Sequence, residues 1–333
     1  MFVALLAAAA LGLTAWLGAM AGFQPFFGIV LPYAATLIFL AGFIRRVFIW
    51  GKSPVPFRIP TVGGQQRSLE RIRQNRLDAP YTPLETACRM ALEILAFRSL
   101  FSNSASRLTE GRGLAQWPSK WLWGFALLFH YSFLLIFIRH FRFFTEPVPA
   151  CLRTLEALDG FFQIGVPRFY LSEALLAAAL LFLIVRRLRG WLYHVSRAAD
   201  FFPLFLILGL AGSGICLRYF DKTDIASVKA YIMGLVSLRP EIAGEAGPTL
   251  YLHLTFLSAL LIYFPFSKLM HMGGIFLSPT RNLPNNSRAE RHLNPWNAPS
   301  PHRSYEEYED EFREAMAAAG LPLEKKPVAP AAE

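Results

Sequence analysis

Residues 1–44 read MFVALLAAAALGLTAWLGAMAGFQPFFGIVLPYAATLIFLAGFI, without one Asp, Glu, Lys or Arg. Crossing a hydrocarbon core takes about 20 mostly apolar residues, so this stretch is long enough to cross twice. The break between the two runs, at approximately 2–22 and 26–49, falls at Gly22-Phe23-Gln24-Pro25, where Gly and Pro punctuate the chain. Ala19-Met20-Ala21 imitates a signal-cleavage site. However, no basic residue precedes the apolar core and a second run follows at once, so the segment reads as one arm of a retained helical hairpin.

Working outward, four further apolar runs lie at about 117–140, 171–188, 201–218 and 249–272. The composition agrees: 54% of the 333 residues are hydrophobic and only 17% are charged, against roughly 25% charged in ordinary globular proteins. An ordinary soluble enzyme and a disordered polyampholyte are both excluded. The expected fold is all-α, a polytopic transmembrane bundle of six spans with a cytoplasmic C-terminal arm and helix. Four regions follow: an N-terminal transmembrane hairpin (1–50), a cytoplasmic loop with an amphipathic helix (51–116), a four-helix transmembrane bundle (117–276) and a cytoplasmic tail (277–333).

The net charge of +10 could suggest a nucleic-acid partner, but the basic residues flank the apolar runs, where they set orientation and meet lipid headgroups. Placing the 51–116 loop in the cytoplasm puts 25 of the 33 Lys and Arg residues on that side. The positive-inside rule then predicts an inner-membrane protein with both termini cytoplasmic. Cys88, Cys151 and Cys216 are far apart and form no C-x-x-C, which excludes a zinc knuckle, a cysteine-held cluster or a covalent C-x-x-C-H haem within this chain.

Two cytoplasmic helices are predicted. Thr82-Pro83-Leu84-Glu85 has the form of a capping box with Pro at the first helical position. Beyond it Leu84, Ala87, Cys88, Ala91, Leu92 and Leu95 share one face, and Glu85, Arg89 and Glu93 the other. Ser304-x-x-Glu307 is a second capping box, and Gly320 closes its helix. The apolar stripe Tyr305, Tyr308, Phe312, Ala315 and Ala319 there needs a covering surface. Between the last span and this helix, Ser278 to His302 reads as an extended arm.

No carboxylate falls near a predicted midplane, but four of the seven histidines fall on two spans: His130 and His140 on the third, His253 and His271 on the sixth. Ionisable groups inside a membrane mark function by default. The third and sixth spans run in opposite directions, so the four sort by depth into His140 with His253 (outer) and His130 with His271 (inner). Facing helices supplying inward ligands to one cofactor build such sites. Imidazole is a good haem ligand, and two per iron would make two stacked haems. The rises disagree, since ten helical residues climb about 15 Å and eighteen about 27 Å; Pro265 could kink the last span, and Gly273-Gly274 could end it near His271. His194, among arginines, and His292 and His302, in the tail, read as solvated groups. Arg139, Arg142 and Arg218 near the outer end could face headgroups or a quinone.

Two histidines ten apart on one helix followed by two eighteen apart on the last resemble the dihaem cytochrome b gamma subunits of respiratory nitrate reductases, over roughly 117–275. The tail motifs Leu277-Ser-Pro-Thr-Arg-Asn-Leu-Pro-Asn-Asn286 and Arg291-His-Leu-Asn-Pro-Trp-Asn297 are similar to the membrane cytochromes of Dsr electron-transport complexes of dissimilatory sulfur metabolism. The resemblance implies two haem b groups, quinone or quinol chemistry (with menaquinone the expected species) at the outer haem, and electron exchange with a cytoplasmic heterodisulfide-reductase-like iron–sulfur subunit. The chain would then be the quinone-reactive subunit of an oxidoreductase complex. Two other classes fit the composition: a transporter using the histidines as a proton relay, and a haem-free membrane anchor.

Overall fold

The computed structural model describes residues 1–53, 64–102, 104–109, 113–162, 168–190, 192–242, 246–277, 282–287, 289–290 and 303–325. The described chain is helical, with two small antiparallel strand pairs: β1 (Ser104–Thr109) with β2 (Gly113–Pro118), and β3 (Gly160–Phe162) with β4 (Phe169–Tyr170). Helix α1 (Phe2–Met20) and helix α2 (Leu31–Lys52) lie on either side of the expected turn, and both pack against the helix that starts at Pro248. Gly22 takes φ +91° at that turn, a left-handed conformation open to glycine at no steric cost. A π-helical stretch, Phe26–Val30, precedes α2.

Among the described residues five segments are long and apolar enough to cross a membrane: Phe2–Met20, Phe26–Lys52, Lys120–Phe144, Ala198–Tyr219 and Pro248–Phe266. They contain α1, α2, α4 (Lys120–His140), α7 (Ala198–Tyr219) and α9 (Pro248–Tyr263). The run expected at 171–188 is also helical. It forms α6 (Leu171–Leu188), which carries Glu173 near its start and Arg186 and Arg187 in its last turn. Helix α6 packs against both α4 and α7.

Small side chains let α1 into the bundle. Its buried positions are Ala4, Ala8, Gly12, Ala15 and Ala19, a small-residue face of the kind that brings helices close where lipid supplies no hydrophobic drive. That helix meets α7 and α9, and α9 also packs along α2. The main apolar cluster joins Leu176 and Leu180 of α6, Leu206 and Ile207 of α7, and Phe256 and Leu260 of α9. The α4–α6 contact includes Phe125 stacked on Phe182 at 3.8 Å.

The last apolar segment departs from the expected single kinked helix. Helix α9 stops at Tyr263, a 3-10 turn covers Phe264–Phe266, and Ser267 is extended at φ −122°, ψ 179°. A second 3-10 turn, Lys268–Met270, leads into α10 (His271–Leu277), so His271 begins a new helix and Gly273-Gly274 lie inside it. Pro265 supplies part of the cause, because it has no N–H to continue the helical ladder. Packing supplies the rest. Pro265 is fully buried, and a Cβ on Gly42 of α2 would lie 2.7 Å from Pro265 Cβ.

Both capping boxes form as read. Helix α3 (Pro83–Ala96) is capped by Thr82 and Glu85, and α11 (Tyr305–Ala318) by Ser304 and Glu307. In α3 the polar side is the one turned inward: Thr86 and Arg89 are buried, whereas Leu84 and Leu95 are exposed. In α11 Tyr305, Tyr308 and Phe312 are exposed, and Glu309 is buried, accepting from the backbone N–H groups of Glu324 and Lys325. Helices α5 (Ala150–Asp159) and α8 (Ile225–Val236) were not anticipated. Much of the Ser278–His302 arm, including Arg291–Asn297, lies outside the described residues. Within it, the backbone N–H of Asn285 donates to Pro80 O at 2.5 Å and Gln66 Nε2 donates to Asn285 O at 2.9 Å, which ties Asn285 to the 51–116 loop.

Candidate functional site

Helix α4 carries His130 and His140 toward the last span, where His253 lies on α9 and His271 opens α10. The imidazoles of His140 and His253 lie with centroids 6.4 Å apart and planes 8° from parallel. Those of His130 and His271 lie 6.0 Å apart with planes at 80°. Both pairs meet although the sequence intervals differ, and the segment from His253 to His271 is not one continuous helix but is broken at Ser267. The equal-face argument for an unbroken eighteen-residue interval therefore does not apply, and the turn geometry brings His271 to His130 instead.

Hydrogen bonds fix the tautomers. Nδ1 of His130 lies 2.7 Å from Ala126 O, Nδ1 of His140 2.7 Å from Ile136 O, and Nδ1 of His271 2.8 Å from Lys268 O. A carbonyl oxygen only accepts, so each Nδ1 carries the proton. His253 uses a side chain: its Nδ1 is 3.0 Å from Ser213 Oγ, whose own proton goes to Leu210 O at 3.0 Å. The Ser213 hydroxyl therefore accepts from His253 as well. All four rings keep the Nε2 lone pair for another partner, the arrangement that second-shell bonds impose on metal-ligating histidines.

The spacing tests which partner fits. With a metal–imidazole bond of about 2.0 Å and about 1.1 Å from ring nitrogen to ring centre, two imidazoles flanking one iron have centroids roughly 6.2 Å apart. Both pairs match that span, and it is too long for ring stacking or a direct hydrogen bond between rings. Among the described residues no group of three or more His, Cys, Asp or Glu could hold a metal ion, as a closed zinc cage would require. The donor set is two pairs of neutral imidazoles, which suits an iron whose remaining four ligands come from a macrocycle.

Beside His140, Arg139 is buried rather than facing headgroups. Its Nη1 is 2.7 Å from Asp159 Oδ2 and 3.2 Å from Ser172 Oγ, Glu173 lies at 3.5 Å, and the guanidinium sits 3.2 Å from the centre of the Tyr170 ring. A buried charge needs such partners. Together they fasten the end of α4 to α5 and α6. The Arg218 guanidinium also lies over the Tyr170 ring, at 4.2 Å, and donates to Arg168 O, while Arg142 pairs with Glu156 at 2.9 Å.

Beside His130, α3 closes in. Trp123 Nε1 donates to Ala96 O and Tyr131 Oη to Leu95 O, each at 2.7 Å. Phe97, the next residue, meets the His130 ring edge-on at 4.9 Å, with Phe129 at 5.0 Å. Phe97 has φ 49° and ψ 48°, a left-handed backbone that bulky residues rarely adopt and that marks a constrained position. Arg98 then ties to Asp78. That guanidinium holds the Asp78 carboxyl below its usual range.

Sequence reasoning named the four histidines and missed Ser213, Phe97 and Asp159. The run Gly212-Ser213-Gly214 on an apolar span was a usable signal, since small residues mark close approach; a Cβ on Gly214 would lie 3.3 Å from His253 Cε1. Nothing local marks the other two.

A helical bundle with apolar spans and facing histidine pairs defines a multi-pass membrane protein of the cytochrome b kind. The family described as nitrate reductase gamma subunit matches residues 101–284. The Hdr-like menaquinol oxidoreductase cytochrome b-like subunit of Archaeoglobus fulgidus is 45% identical over 278 residues, covering 81% of this chain and 83% of that protein. Its counterpart in Archaeoglobus profundus is 38% identical over 279 residues, covering 81% and 82%. The chain belongs to the nitrate reductase gamma subunit family, as the histidine spacing implied.

Proposed function

We propose that this chain is a quinol-linked electron-transfer subunit that holds two haem b groups, one between His140 and His253 and one between His130 and His271. The observation that carries the reading is the pair of imidazole spacings, 6.4 and 6.0 Å, with every Nδ1 proton already committed. The names of the Archaeoglobus relatives support menaquinol as the electron donor. When bound, the haems supply one-electron transfer across the bundle; the protein supplies position and surroundings. The four carbonyl and hydroxyl acceptors orient the rings and raise their donor strength. The buried Arg139–Asp159 pair holds the α4 end that carries His140.

The His140–His253 pair is the outer one, beside which quinol is oxidised, and His130–His271 the inner one. Both termini lie in the cytoplasm and the membrane is the cell's inner membrane, as the distribution of basic residues supports. The partner is a cytoplasmic heterodisulfide-reductase-like iron–sulfur subunit, and the tail, with its exposed stripe on α11, is the surface that receives it. The tail motifs support a place in dissimilatory sulfur metabolism. The purified protein should contain two haem b per chain by pyridine haemochromogen assay, and a water-soluble menaquinol analogue should reduce at least one of them. A chain without haem would overturn this reading in favour of an anchor or a proton-relay transporter.

A further inference from the structure

The two pairs share their chemistry and differ in the angle between their rings, 8° in one and 80° in the other. Each ring plane is set by the acceptor of its Nδ1 proton and by what touches its faces. His140 and His130 both bond to the carbonyl four residues back on α4, so α4 alone does not account for the difference. On α9, His253 bonds across to Ser213 of α7, and Gly214 passes against its Cε1. His271 bonds inside a 3-10 turn, to Lys268 O. The His130 ring is met by two aromatic rings, Phe97 at 89° and Phe129 at 87°. Phe129 belongs to the same helix, whereas Phe97 is brought there by α3 in a left-handed conformation and is fastened on both sides, through Ala96 O to Trp123 and through Arg98 to Asp78.

We propose that Ser213 and Phe97 are positioning residues that make the two sites inequivalent: Ser213 holds His253 parallel to His140, and Phe97 holds His130 crossed to His271. The inference rests on the two-haem reading above. An imidazole overlaps mainly with the iron d orbital perpendicular to its own plane. Parallel rings act on the same orbital and split the iron dπ pair, which gives a rhombic ferric low-spin signal. Crossed rings act on one orbital each and leave the pair nearly equal in energy, which gives a highly anisotropic signal with one dominant large g-value. Ring orientation and hydrogen bonding are levers the protein holds over a haem.

Low-temperature EPR of the oxidised, full-length protein tests this, with haem content measured on each sample. The wild type should show one rhombic and one highly anisotropic signal. Ser213→Ala should shift the rhombic signal alone, and Ser213→Thr, which keeps the hydroxyl, should restore it. Phe97→Leu should move the anisotropic signal toward rhombic form and leave the other in place, with Phe97→Tyr as the conservative control. Two signals of one class in a protein with two haems would overturn the inference, as would unshifted signals in Ser213→Ala and Phe97→Leu at full haem content. If Ser213→Ala lost a haem, Ser213→Cys, with its weaker acceptor, should shift the rhombic signal in part; no shift would count against the role. Fewer than two haems in the wild type is a separate result, which defeats the functional reading itself.

Discussion

The two histidine pairs draw on the same two spans but are built by different means. His140 and His253 sit on intact helices, α4 and α9, and the local support comes from within the bundle: Ser213 on α7 and the Arg139–Asp159 pair behind α4. His130 sits on an intact helix, but His271 is delivered by a chain break and the site is closed by a segment from outside the spans, α3 with Phe97. One pair is a product of helix packing. The other depends on irregular backbone, which a membrane protein tolerates where neighbouring helices bury it.

That difference can be broken at one point. Gly42 is where α2 approaches the break, and Gly42→Ala would place its Cβ 2.7 Å from Pro265 Cβ and 2.9 Å from Cγ. Overpacking against a rigid ring costs about 1–3 kcal/mol, and relief shifts the contact between α2 and the 264–270 segment. The variant should lose or shift the component ligated by His130 and His271 while keeping the other; redox titration of the visible spectrum measures it. An equal loss of both components would mean that the two sites do not differ in this way.

A smaller effect sharpens the comparison at α3. Arg98→Ala removes the tie to Asp78 that fastens the segment carrying Phe97. Both side chains are partly shielded, so the loss should be about 1 kcal/mol or less at neutral pH. The pH dependence has a definite sign. The Asp78 carboxyl is held down by its hydrogen bond to Arg98, with Arg89 adding to the effect. The pair therefore contributes fully above the ordinary carboxylate range, and its contribution disappears as pH falls through the lowered pKa. Thermal unfolding of the wild type and Arg98→Ala should differ at pH 7 and converge in acid, and a gap that widened in acid would contradict the assignment.

The same contrast explains what the sequence disclosed. The apolar helices were legible because a long continuous apolar run satisfies its backbone in lipid as a helix, and the histidines stood out because ionisable groups there are rare. The capping boxes at Thr82 and Ser304 were legible because their hydrogen bonds are local. The break at Ser267 was only hinted at by Pro265, since the extended backbone follows from packing on Gly42, over two hundred residues away. Arg139 was open to headgroups or a quinone on sequence alone, because its partner Asp159 lies on a helix outside the apolar spans. The inward face of α3 was legible as a face and not in its direction, because burial of Arg89 depends on the surrounding loop.

The central claim is that each haem is held across α4 and the last span, in pairs of opposite chain order. The most direct measurement is redox titration of four single variants, His130→Ala, His140→Ala, His253→Ala and His271→Ala, each followed by its reduced-minus-oxidised spectrum. The account predicts that His140→Ala and His253→Ala abolish one component and that His130→Ala and His271→Ala abolish the other. A component shared instead by His130→Ala and His140→Ala would place both ligands on one helix and contradict it.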